Sequence, residues 1–89
     1  MIIVASKQYR KDYIKVIKQG RNIKKLNTII NKLSHGEKLE SKCRDHQLSG
    51  DYSNCRECHI EPDWLLIYSI EQNKLILHLI RTGSHSELF

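Results

Sequence analysis

Apolar residues change their spacing near the middle of this chain, and the change separates a helical half from a strand half. Ile2-Ile3-Val4-Ala5 opens the first half as a short strand. Ser6 can cap a helix over Lys7 to Gln19 that Gly20 ends, with Tyr9, Tyr13, Val16 and Ile17 on its apolar side. Lys7, Arg10, Lys11, Lys15 and Lys18 take its other sides. Asn22 can cap a second helix, in which Ile23, Leu26, Ile29, Ile30 and Leu33 recur at steps of three and four until Gly36. The short connection between the two predicts an antiparallel helical hairpin whose apolar stripes need a sheet to cover.

From Gly36 to Asn54 no period holds, and the residue types predict loop, with a short strand near Cys43. Alternation then predicts strands over Cys55 to Glu61, Trp64 to Glu71 and Lys74 to Thr82. Pro62 turns the first pair, and Gln72-Asn73 makes a tight hairpin between the second and third. Gly83 breaks the last strand and leaves Ser84 to Phe89 as a tail. The order of strand, two helices and three strands predicts an α+β fold with its helices on one sheet face.

A chain of 89 residues, 39% apolar, has material for one domain over residues 1–89 and one small core. No segment approaches the roughly 18 apolar residues of a membrane span, so the expectation is a cytoplasmic protein without a membrane partner. The net charge of +5 is uneven: residues 1–35 hold nine Lys/Arg against Asp12 alone, whereas residues 36–89 hold six against nine acids. A cationic N-terminal third suits a polyanion, nucleic acid first among them, and equally suits a solvated lysine-rich surface.

The candidate chemistry lies in Arg56-Glu57-Cys58-His59-Ile60-Glu61-Pro62-Asp63-Trp64. Strand alternation puts Glu57, His59 and Glu61 on one face and Arg56, Cys58 and Ile60 on the other. Cys43-x2-His46 and Cys55-x2-Cys58 have zinc-like spacing, which supports a second reading, a small zinc-stabilised RNA-binding module without catalysis. Against it, the pairs lie close together, and a three-residue step along a strand reverses side-chain direction. Free thiols are the simpler reading of three cysteines.

Among the histidines, His35 near a helix end and His78 in mid-strand read as satisfied residues. His46 stands beside Asp45, His59 among Glu57, Glu61 and Asp63, and His85 near Arg81 and Ser84. Ser84, His85 and Asp63 lack the strand-turn-helix elbow of a nucleophilic triad. Imidazoles, an arginine and carboxylates, with no metal or cofactor needed, suit transphosphorylation of RNA, in which the substrate supplies its own 2′-hydroxyl nucleophile. Trp64 and Phe89 could stack bases, and Trp64 could equally anchor the core.

Three spaced motifs carry a resemblance: Asp45-His46-x-Leu48-x-Gly50, Arg56-x-x-His59-Ile60-Glu61-Pro62-Asp63-Trp64, and Arg81-Thr82-Gly83-Ser84-His85-Ser86-Glu87-Leu88-Phe89. Together they resemble the YafQ family of bacterial toxins within the RelE-like superfamily. The resemblance implies a RelE-like fold, with an N-terminal strand and a two-helix hairpin packed on a twisted antiparallel sheet. It also implies the toxin of a type II toxin-antitoxin pair: an endoribonuclease, or mRNA interferase, that cuts mRNA in the ribosomal A site, with mRNA, the ribosome and a cognate antitoxin as partners. By motif the site is His46, His59, Asp63, Trp64, Arg81, His85 and Phe89. His46 is then the general base, with His59 and Asp63 positioning it or sharing its duty. His85 is the general acid, Arg81 lies on the scissile phosphate, and Trp64 and Phe89 shape the base pocket. Glu57 is a departure that adds a carboxylate beside His59, where it could raise the pKa of His59 or act as a base itself, and it is counted with the substrate-binding residues.

Overall fold

The computed structural model describes all of residues 1–89. The elements are β1 (Ile2–Ala5), α1 (Lys7–Lys18), α2 (Ile23–Ser34), β2 (His46–Gln47), β3 (Arg56–Glu61), β4 (Trp64–Glu71), β5 (Ile76–Gly83) and α3 (His85–Leu88). The sheet order is β1-β5-β4-β3-β2. β2, β3, β4 and β5 pair antiparallel. β1 lies parallel to β5, so the sheet is mixed where an antiparallel one was expected. The chain between β1 and β5, which runs through both long helices and β2 to β4, is long enough to permit that pairing.

Both long helices begin as expected. Ser6 Oγ accepts from Tyr9 N at 2.9 Å and donates to Ile80 O at 2.8 Å, so one hydroxyl both starts α1 and moors it to β5. Asn22 Oδ1 accepts from Lys24 N at 3.1 Å. On the buried side of α1 are Tyr9, Asp12 and Val16, while Ile17, expected in the core, is 51% exposed.

One core lies between the helices and a sheet face, where Tyr9, Val16, Leu26, Leu33, Cys58, Trp64, Leu66, Tyr68 and Leu77 pack together. Leu65, Ile67 and Leu88 form a smaller cluster, against which Leu48, Tyr52, Cys55 and Ile80 pack. The two clusters take alternate residues of β4, as the pleat requires.

Several boundaries differ from expectation. The short strand of the middle segment is at His46–Gln47, while Ser41–Cys43 and Gly50–Tyr52 are single 3₁₀ turns. The β4–β5 connection is a four-residue turn over residues 72–75 with Leu75 at φ 52°, not a two-residue hairpin. The expected tail is the short helix α3. Ser84 Oγ accepts from Glu87 N while Glu87 Oε1 accepts from Ser84 N at 2.8 Å, a reciprocal capping box.

Trp64, expected as a substrate-binding residue, is fully buried. Its Nε1 donates to Thr82 Oγ1 at 3.0 Å, Thr82 Oγ1 donates to Leu65 O at 2.8 Å, and the Arg21 guanidinium lies 5.5 Å from its ring centroid. No ring face is left for a base, so Trp64 is a core anchor. Trp64→Ala should lower the unfolding free energy by about 3–5 kcal/mol in denaturant titration, the usual range for an emptied large aromatic site. A variant of wild-type stability with weakened RNA binding would restore the stacking role.

Candidate active site

Cross-strand partners share a sheet face, and the register follows the catalytic-type side chains across the sheet. His46 is paired with Glu57, Glu57 with Ile67, and His59 with Leu65. Further on, Ile67 is paired with Arg81 and Leu65 with Gly83. The face away from the two long helices therefore collects residues from β2, β3 and β5, and α3 follows directly on β5.

At the centre is Glu57, 5% exposed. Its Oε2 lies 3.6 Å from His46 Nε2 and its Oε1 lies 3.7 Å from His59 Nε2, ion-pair separations longer than hydrogen bonds. Each imidazole is turned by a backbone carbonyl: Arg44 O is 2.6 Å from His46 Nδ1, and Pro62 O is 3.1 Å from His59 Nδ1. A carbonyl can only accept, so both Nδ1 atoms carry protons and both Nε2 atoms are free to exchange one beside the carboxylate. His46 is exposed and His59 half-buried, which leaves the pair open to solvent on one side.

The His46 segment is held from behind. Asp45 Oδ1 accepts from Tyr68 Oη at 2.7 Å and from Arg56 Nε at 3.1 Å. Burial and Asp45 together push the Tyr68 hydroxyl far up, so it stays a donor.

The second half of the site is C-terminal. Asp63 Oδ1 accepts the His85 backbone N–H at 3.1 Å, so the β3–β4 turn receives the start of α3. The exposed His85 ring lies tilted against Phe89 with centroids 5.0 Å apart, and Phe89, 55% exposed, meets Tyr52 edge-on at 5.8 Å. Tyr52 also lies beside the Arg81 guanidinium. Asp12 is the main reason the Arg81 pKa is raised, with desolvation opposing. Asp12 Oδ2 accepts from Arg81 Nε at 2.7 Å and Oδ1 from Arg81 Nη2 at 3.2 Å.

Tyr52 and Asp12 were not foreseen. Tyr52 stands in a loop without a period, and nothing in its neighbours marks it. Asp12 was visible only as the sole acid of the basic third.

Glu87 latches α3 to α1: its Oε2 is 2.7 Å from Lys15 Nζ and accepts from Gln19 Nε2 at 3.0 Å. A Cβ at Gly83, φ 157°, would come within 3.2 Å of Glu87 Oε1, so the bare backbone there lets the carboxylate close in. Lys15 first, then the Ser84 cap, hold the Glu87 carboxyl down at about 2 against an ordinary value of 4.5. A depressed folded pKa gives stability that is fully present above about pH 4.5 and is lost as pH falls through about 2. The melting temperatures of wild type and Glu87→Gln should therefore differ most above pH 5 and converge towards pH 2. A difference constant from pH 7 to pH 2 would remove the latch.

The cysteines do not converge on His46. Cys43 and Cys58 are buried with the helix-side cluster and Cys55 packs on the opposite one. Burial pushes the Cys58 thiol up, away from its reactive form.

All 89 residues match the family of YafQ, described as the bacterial toxin of a type II toxin-antitoxin system. The chain is 35% identical over 85 residues to the mRNA interferase toxin YafQ of Escherichia coli K12, covering 94% of this chain and 90% of that one. A metal-bound toxin from Helicobacter pylori shares 40% identity, with 100% and 99% of the two chains covered and a TM-score of 0.93. The toxin in the Escherichia coli DinJ-YafQ toxin-antitoxin complex shares 35% identity, with 98% and 94% covered and a TM-score of 0.87. In this chain no group of three or more His, Cys, Asp or Glu side chains is arranged to hold a metal ion. The mixed sheet, the helices on one face of it and the match along the full chain lead to one assignment: the chain belongs to the YafQ family of bacterial toxins of type II toxin-antitoxin systems.

Proposed function

We propose that this chain is an mRNA interferase, an endoribonuclease that cuts mRNA in the ribosomal A site by transphosphorylation and so stops translation. The observation that carries the reading is Glu57 held between the Nε2 atoms of His46 and His59, on the sheet face that also receives Arg81 and, through Asp63, the start of α3 with His85.

His46 Nε2 takes the proton from the ribose 2′-hydroxyl, with Glu57 balancing the imidazolium that forms. His59, paired with the same carboxylate, positions His46 or shares the proton, and Asp63 fixes His85 by its backbone. The 2′ oxygen attacks phosphorus, Arg81 steadies the charge on the non-bridging oxygens, and the bond to the 5′ oxygen breaks. His85 returns a proton to that oxygen. The products are a 2′,3′-cyclic phosphate and a 5′ hydroxyl. Acid-base groups contribute typically about 10²- to 10⁴-fold each, and a fixed cation about 10²- to 10³-fold. Phe89, exposed and braced edge-on by the half-buried Tyr52, offers an aromatic surface on which a base can stack.

The exposed Lys7, Arg10, Lys11 and Lys18 supply attraction to ribosomal RNA. A cognate antitoxin is the expected protein partner, in line with the Escherichia coli complex. No helix is long and apolar enough to cross a membrane, and the site of action is the cytoplasm, where mRNA is translated.

The test is primer extension on an mRNA translated in a purified system, with ribosomes present or absent. Cuts that need ribosomes support the reading. Cuts of equal strength on free RNA contradict the ribosome dependence, and no cuts from a folded sample contradict the activity.

A further inference from the structure

Asp12 is the one acid among the first 35 residues, and it is only 6% exposed. A carboxylate in a basic amphipathic helix ordinarily faces water, because burial costs several kcal/mol unless donors replace the lost hydration. Here four donors do so. Besides Arg81 Nε and Nη2, Oδ2 accepts the Thr82 backbone N–H at 3.2 Å and Oδ1 accepts from Gln8 Nε2 at 3.1 Å.

The position explains the contacts. β1 pairs with β5 only as far as Leu79, which leaves the β5 edge open at Thr82, beside Arg81. α1 passes this edge and closes it with Asp12. The same carboxylate takes Arg81 through its Nε–Nη2 edge, a bidentate geometry that fixes both the plane and the direction of the guanidinium. Tyr52 lies beside the same guanidinium, Phe89 meets Tyr52 edge-on, and His85 lies against Phe89, so the arginine that Asp12 grips borders the aromatic and imidazole side of the site.

Resting on the interferase reading, we infer that Asp12 is a positioning residue for Arg81: it never touches RNA, and it aims the guanidinium at the phosphate under attack. A salt bridge that served the fold alone would need no partner in the site. Accepting the Thr82 N–H would be enough to close the edge, yet the same carboxylate also takes the arginine as a charged fork. Misplacing a catalytic group by about 1 Å can cost about 10²-fold in rate. The arginine should therefore lose its effect when its direction is lost, even though its charge remains.

The experiment is a double-mutant cycle of Asp12→Asn and Arg81→Ala, read as single-turnover cleavage of mRNA on programmed ribosomes across toxin concentrations. Circular dichroism verifies that each variant is folded. In the wild-type background, Asp12→Asn should lower the maximal rate about 10- to 100-fold while half-saturation moves less than about 3-fold. In the Arg81→Ala background it should change the rate less than about 2-fold, because the group it acts through is gone. Equal losses in both backgrounds, or a wild-type rate for Asp12→Asn, overturn the inference and leave the interferase reading standing. Should Asp12→Asn fail to fold, Asp12→Glu, which keeps the charge and shifts it by a methylene, is read in the same two backgrounds by the same criteria. A wild-type protein that cuts nothing on ribosomes refutes both readings together.

Discussion

His85→Ala should reduce cleavage by about 10²- to 10⁴-fold while leaving the fold in place. The two halves of that expectation come from one observation: the imidazole is exposed and makes no side-chain hydrogen bond, its one neighbour of note being the Phe89 ring at 5.0 Å. Removing a side chain with so few contacts changes stability within about 0.5 kcal/mol. What fixes α3 is elsewhere, in the Ser84–Glu87 capping box and in Asp63, which accepts the His85 backbone N–H and is indifferent to the side chain. Single-turnover cleavage and thermal melting of the same sample test both halves. A His85→Gln protein that binds ribosomes and cleaves at the wild-type rate would remove His85 as the general acid, since an amide cannot deliver the proton.

Glu57→Gln should lower the rate about 10²-fold or more, with melting temperature held or raised. The substitution keeps shape and removes charge. A carboxylate at 5% exposure is costly to bury, and its two partners, at 3.6 and 3.7 Å, are beyond hydrogen-bond reach. For folding alone, an amide serves as well. For the proposed reaction it does not, because a proton taken by His46 would leave a cation for the carboxylate to balance. A rate unchanged by Glu57→Gln would make Glu57 a bystander, and a melting temperature lowered by several degrees would show that its charge serves the fold.

Much of this arrangement was legible in the sequence because it depends on local periods. Strand alternation alone placed Glu57 and His59 on one face, and steps of three and four delimited α2 between Asn22 and Gly36. Pro62-Asp63 turned the chain where expected. Pairings between distant segments were not legible. The parallel partnership of β1 and β5 and the two-residue strand at His46 arise from register across the finished sheet, which a local pattern does not encode. The places of Asp12 and Trp64 were not legible for the same reason. Asp12 is buried because an open strand edge and Arg81 meet it, and Trp64 because Thr82 satisfies its Nε1. By contrast, α3 carried a local signature, Ser84-x-x-Glu87, but four residues of helix fall below the length at which a period is visible.

In the proposed mechanism His46, Glu57, His59, Arg81 and His85 cut RNA by turning its own 2′-hydroxyl on the phosphate. The most direct measurement compares ribosome-bound mRNA of natural ribose with the same mRNA carrying one 2′-deoxynucleotide on the 5′ side of the mapped cut. The natural message should be cut to a 2′,3′-cyclic phosphate and a 5′ hydroxyl, and the deoxy message should stay intact at that position. Cleavage of the deoxy message at a comparable rate, leaving a 5′ phosphate, would contradict this mechanism.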